Sequence, residues 1–148
     1  MVTSSLNIDA SFDEDNGCGS TGAIFRDGFG GMIAASNTFI PYLVDAPMAE
    51  AFALKEGLML AQHIGGNWLI VQSDCLEVVQ TLENGGFTAN SADECSIVWN
   101  GFQEISIEHS REANNVAHAL ARQTMISRTI VFGTMIPLVL LSNYYQTM

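Results

Sequence analysis

The sequence predicts an α/β domain, a mixed sheet with helices on its faces. Three observations carry this. Apolar-alternating strands joined by a Gly-rich turn open the chain. A helix, a continuous apolar strand and a second helix follow in alternation. A last strand and helix close the order. With 148 residues, 48% of them hydrophobic, the chain has length and apolar content for one domain with a filled core. We place that core at about residues 5–125, with a C-terminal tail over 126–148 that packs on the domain or stays partly flexible.

Leu6, Ile8, Ala10 and Phe12 alternate with Asn7, Asp9 and Ser11, which makes a strand with one apolar and one polar face. Asp13 to Gly22 is acidic, then Gly-rich, and reads as a turn or loop. Ala23 to Arg26 is a second strand, and Asp27-Gly28-Phe29-Gly30-Gly31 is a hairpin signal before a third strand near Met32 to Thr38. Pro47 opens a helix that runs to Ile64 and is ended by Gly65-Gly66. Trp68 to Val71 is continuously apolar, as expected of a central strand covered on both faces. Asp74 to Leu82 is a second helix, stopped near Gly85-Gly86. Ala92 to Gly101 has no clear period and is open between loop and short helix. Ile105 and Ile107 mark the last strand, and Asn114 to Met125 the last helix. The apolar run Ile130 to Leu141 contains Gly133 and Pro137 and is shorter than the ~20 residues a membrane span needs.

Charge and cysteines narrow the classes. Five Lys+Arg stand against sixteen Asp+Glu, a formal charge of −11, which is not the composition of a basic nucleic-acid-binding module. Cys18, Cys75 and Cys95 form no CxxC pair, so neither a disulfide framework nor a structural zinc site is expected. A reducing compartment, nucleus or cytoplasm, fits better. The amino terminus has no signal-peptide pattern, and no membrane segment or obligate protein partner is evident.

Three carboxylates sit where carboxylates are unusual. On a helical wheel, Glu50 falls on the face shared by Ala53, Leu54, Gly57, Ala61 and Ile64, toward the sheet. Asp9 lies in the middle of the first strand, where Asp is depleted. Asp74 directly follows the apolar strand, at the end where open α/β sheets gather ligands, although with Glu77 it also fits a capping box. Each position alone has an ordinary explanation: a solvated strand face, a first-turn Glu, a helix cap. If the first strand pairs with the central one, however, the three converge. Converging carboxylates repel and call for hard divalent cations, Mg²⁺ or Mn²⁺ rather than zinc.

These residues resemble a known family, the plant ribonuclease H-like domain, related to the RNase H domains of retroelement reverse transcriptases. The blocks that carry the resemblance are Asn7-Ile8-Asp9-Ala10-Ser11-Phe12 and Gly22 to Gly30, then Ala49-Glu50-Ala51-Phe52-Ala53-Leu54-Lys55-Glu56-Gly57-Leu58. Ser73-Asp74, Arg111 to Ala121 and the ending Ile136-Pro137-Leu138 follow. Each block is weak alone, but the ordered set, running from about Asn7 to Arg122, is specific. The resemblance implies an RNase H-like fold, a five-stranded mixed sheet of three antiparallel then two parallel strands flanked by helices. It implies an endoribonuclease cutting the RNA strand of RNA–DNA hybrids, with Asp9, Glu50 and Asp74 holding two Mg²⁺, Mn²⁺ being a possible substitute. One ion would activate a water and the other stabilise the departing 3′ oxygen. His118 takes the fourth catalytic position, and Arg111, Asn114 and Arg122 would contact substrate.

Three departures qualify that picture. His118 stands where the classical enzymes carry a fourth carboxylate, and a neutral imidazole is a poorer Mg²⁺ ligand, so weak, Mn²⁺-favoured activity is expected. The segment between Ile97 and Phe102 is shorter than the family's helix there, and Gln72 replaces a common Glu. His109 is placed on the last strand with no firm catalytic role. The alternative is a catalytically weak or inactive nucleic-acid-binding module of the same fold. Less favoured is a small acidic adaptor that binds neither metal nor hybrid.

Overall fold

A computed structural model describes residues 3–83, 98–111, 115–127 and 130–133. Strand β1 (Ser4–Asp13) pairs antiparallel with β2 (Cys18–Arg26), and β2 with β3 (Met32–Ile40). Helix α1 (Ala46–Ile64) crosses to β4 (Trp68–Ser73), which pairs parallel with β1. Helix α2 (Leu76–Glu83) precedes β5 (Glu104–His109), parallel to β4. Helix α3 (Asn115–Ser127) follows, then a short strand β6 (Ile130–Gly133) antiparallel to β3. The order across the sheet is β5-β4-β1-β2-β3-β6. The five expected strands are thus arranged as three antiparallel and two parallel, and β6 adds a sixth at the β3 edge.

Local chemistry sets the element ends. Asp45 caps α1 by accepting the Met48 N–H at 2.9 Å, Pro47 occupies the first turn, and Gly65 ends the helix at φ 88°. Asp27 Oδ1 accepts the N–H of Phe29 and Gly31, closing the β2–β3 turn. The main core lies between α1 and the sheet: Leu6 and Ile8 of β1, Phe25 of β2, Ala53, Leu54 and Leu58 of α1, and Leu69 and Val71 of β4. A smaller one, of Ile24, Ala35, Ala117 and Leu120, lies under α3 on the opposite face.

The structure corrects several expectations. β2 starts at Cys18, inside the stretch read as a loop. Its first half is Cys-Gly-Ser-Thr-Gly, and small residues hide the strand pattern because neighbours press close. A Cβ at Gly19 would lie 2.4 Å from Leu43 Cδ1 and 2.6 Å from Ser11 O. The polar face of β1 is not solvated: α3 covers it, and Asn7 and Asp9 are buried. β4 is covered fully on one face only, since Trp68, Ile70 and Gln72 are half-buried. The expected helix stop at Gly85-Gly86, the stretch Ala92 to Ile97 and the tail from Thr134 lie outside the described residues. Among the described residues no helix is long and apolar enough to cross a membrane, and Cys18 and Cys75 are free thiols.

Candidate metal centre

The parallel register places the site. The last β1–β4 pair is Ile8 with Ser73, so Asp9 and Asp74 each follow the final paired residue on neighbouring strands. Glu50 enters from the second turn of α1, one turn later than a first-turn Glu would sit. One carboxylate oxygen from each of Asp9, Glu50 and Asp74 lies within 4.8 Å of the others. Asp9 is buried, and Glu50 and Asp74 are half-buried. This is the crevice beyond the strand ends that α/β sheets offer to ligands.

The electrostatics are those of a site that attracts cations. Burial, reinforced by the charges of Asp9 and Asp74, pushes the Glu50 carboxyl up to about 8. Burial and the Asp74 charge push Asp9 up to about 6, against the lowering effect of His118. Glu50 Oε2 is buried with no hydrogen-bond partner among the described residues. Burying a carboxylate oxygen unpaired costs free energy that a bound cation would offset. Three carboxylates form an all-oxygen donor set, which suits Mg²⁺ or Mn²⁺.

His118 adjoins this cluster through Asp9, its Nδ1 2.5 Å from Asp9 Oδ2. The imidazole is 53% exposed and the carboxylate 4%. With Asp9 ionised, Nδ1–H must be the donor, and in the neutral imidazole Nε2 is then the acceptor. α3 delivers His118 because it lies unusually close to β2. A Cβ on Gly22 would meet Ala117 O at 2.4 Å, and Ser20 Oγ donates to Ala121 O. Arg122, one helical turn beyond His118, is exposed, as is Arg111 before α3. Asn114 lies outside the described residues.

Sequence reasoning missed a polar ladder one row behind the carboxylates. Arg26 Nε donates to Asn7 Oδ1 at 3.1 Å, Asn7 Nδ2 donates to Gln72 Oε1 at 2.6 Å, and Gln72 Nε2 donates to Glu108 Oε1 at 2.5 Å. The signal was present: Asn7 and Gln72 each stand two residues before a cluster carboxylate. Gln72 gains a reason here, since a Glu in its place has no N–H to give Glu108.

Comparison with known proteins settles the family. The family described as reverse transcriptase-like, an RNase H-like domain, matches residues 7–124. The chain belongs to it. Solved structures that this RNase H-like domain resembles include ribonucleases H. RNase H1 of the archaeon Halobacterium salinarum superposes with a TM-score of 0.76 at 23% identity, over 84% of this chain and 98% of that one. The N-terminal RNase H domain of a Mycobacterium tuberculosis protein also scores 0.76, at 21% identity, over 86% of this chain and 96% of that one. LC11-RNase H1, isolated from compost and crystallised with an RNA/DNA hybrid, scores 0.74 at 17% identity, over 85% and 99%. At these identities the likeness shows the fold, which is RNase H-like. No curated protein sequence matches. On this fold the three carboxylates stand together at the end of the β1–β4 pair, while His118 reaches them only through Asp9.

Proposed function

We propose that this RNase H-like domain is a divalent-metal-dependent endoribonuclease that cuts the RNA strand of RNA–DNA hybrids. The observation that carries this is the trio Asp9, Glu50 and Asp74, with ligand oxygens within 4.8 Å and a buried, unpartnered Glu50 oxygen. These three residues would hold two Mg²⁺, or Mn²⁺ in their place. Bound there, the ions would supply a water made nucleophilic near neutral pH and a counter-charge for the departing 3′ oxygen.

The chain's own residues do the positioning. Asp9 is set by its place in mid-strand and by the His118 Nδ1–H bond to Oδ2, which orients its carboxylate. Glu50 is brought to the cluster by α1, whose start is capped by Asp45 one turn before it. Arg111, Asn114 and Arg122 would contact phosphate, Arg122 from the turn next to His118. With only five basic residues, binding should be weak and salt-sensitive and should depend on metal to mask the cluster.

A second reading has one observation in its favour. His118 already takes Asp9 Oδ2, one of the two oxygens Asp9 has to offer an ion, and it brings no negative charge. That favours a weak or inactive nucleic-acid-binding module. One assay separates the two: purified protein, a labelled hybrid, Mg²⁺ or Mn²⁺, and Asp9→Asn alongside. We expect slow cleavage, faster in Mn²⁺, that Asp9→Asn abolishes. Cleavage that survives Asp9→Asn excludes this site, and hybrid binding without cleavage in either metal selects the module.

A further inference from the structure

We propose that His109 is a positioning residue for Asp74, fixing from the neighbouring strand the peptide that carries this carboxylate. The inference rests on the metal-site reading above and adds a residue to it. Asp74 occupies an awkward place in the chain. β4 ends at Ser73 and α2 begins at Leu76, so neither the sheet ladder nor a helix sets the backbone of Asp74. Three bonds hold the Ser73–Cys75 segment that contains it, and one of them reaches Asp74 itself. Ser110 N–H donates to Ser73 O at 2.9 Å. Ser73 Oγ accepts the Cys75 N–H at 3.1 Å. His109 Nε2 lies 3.0 Å from Asp74 O.

A carbonyl oxygen only accepts, so Nε2 is the donor in the third bond. His109 is opposite Ser73 in the β4–β5 register, which brings its ring to the first carbonyl beyond the end of β4. A planar imidazole turns about two side-chain bonds, so this donor is held in a narrow range of positions. The bond reaches the one cluster member without a strand or helix around it. Asp9 is held within β1 and Glu50 within α1. His109 itself is exposed and belongs to neither core cluster. Residues that orient a metal ligand typically change metal affinity by about tenfold or more when removed.

The test is Mn²⁺ binding by metal-free protein, read by electron paramagnetic resonance or titration calorimetry, with no substrate present. His109→Ala should weaken Mn²⁺ binding roughly tenfold. The melting temperature of the metal-free protein should not move. His109→Gln, which keeps an N–H donor near the Nε2 position, should recover most of the affinity. His109→Phe, which keeps the ring and loses the donor, should not. In the hybrid assay, kcat should fall with KM unchanged. Equal Mn²⁺ affinity in unaltered protein and His109→Ala overturns the proposal, as does a His109→Phe variant that binds like His109→Gln. If the unaltered protein binds no Mn²⁺, or Asp74→Asn binds it equally well, both this proposal and the metal site fall. If Mn²⁺ binds and responds to His109 while no hybrid is cut, the positioning role stands and the nuclease reading alone fails.

Discussion

Among the described residues Glu50 is the carboxyl raised furthest, and its effect on stability has a definite sign. Its carboxyl is raised from an ordinary 4.5 to about 8, so in this interval the folded chain holds a proton that the unfolded chain has released. Stability therefore falls as pH rises through that window. Asp9 acts in the same direction between 3.8 and about 6. In chelator, the melting temperature should decline from about pH 4.5 to about pH 8. Glu50→Gln should flatten that decline and melt higher at its alkaline end. Calorimetry across the range checks both, and a melting temperature that climbs with pH would contradict the assignment. Protons and cations compete for the same oxygens, so apparent Mn²⁺ affinity should rise over this range.

At the scale of elements, the seat of α3 decides whether His118 meets Asp9. Ser20, Gly22, Ala117 and Ala121 keep the helix close to β2. The neighbours of an added Cβ at Gly22 are backbone atoms, Ala117 O at 2.4 Å and Ala121 N at 2.9 Å, so no side chain can swing aside. Gly22→Ala should therefore lift α3, cost about 1–3 kcal/mol and break the His118–Asp9 bond. Chemical denaturation reads the first effect and the imidazole ¹⁵N shifts the second. The same seat shows where the sequence was legible. α1 was readable because its boundaries are written in Pro47 and Gly65, and its inner face in the spacing of its apolar residues; the Asp45 cap emerged only from the structure. β2 was readable only where Ile24 and Phe25 supply bulk. Its Ser20 and Gly22 answer to a helix about a hundred positions away. The burial of Asp9 was hidden for the same reason: alternation reports a polar face, and only tertiary packing tells whether water or α3 covers it.

For the molecule as a whole, the net charge of −11 looked hostile to a polyanion. The fold concentrates part of it at one crevice, where Asp9, Glu50 and Asp74 converge. That convergence was legible only as a condition, namely that the first strand lie beside the central one. The register of β1 with β4 meets the condition. The Ile130 to Gly133 strand was not legible, because an apolar run broken by glycine and proline looks alike whether it packs or pairs.

The same strand order also carries a timetable. The β1–β2 and β2–β3 pairs close over short turns, whereas Asn7 and Gln72 meet across 65 positions and Asp9 and His118 across 109. Closing long loops is the slow part of folding such a topology. The antiparallel meander should therefore form before the three carboxylates come together. A cation that binds only the finished cluster arrives after the rate-limiting step. In stopped-flow experiments Mn²⁺ should leave the refolding rate nearly unchanged and slow unfolding, with the whole gain in stability on the unfolding side. The ion then acts as a lock on a structure already built, never as the mould in which it forms.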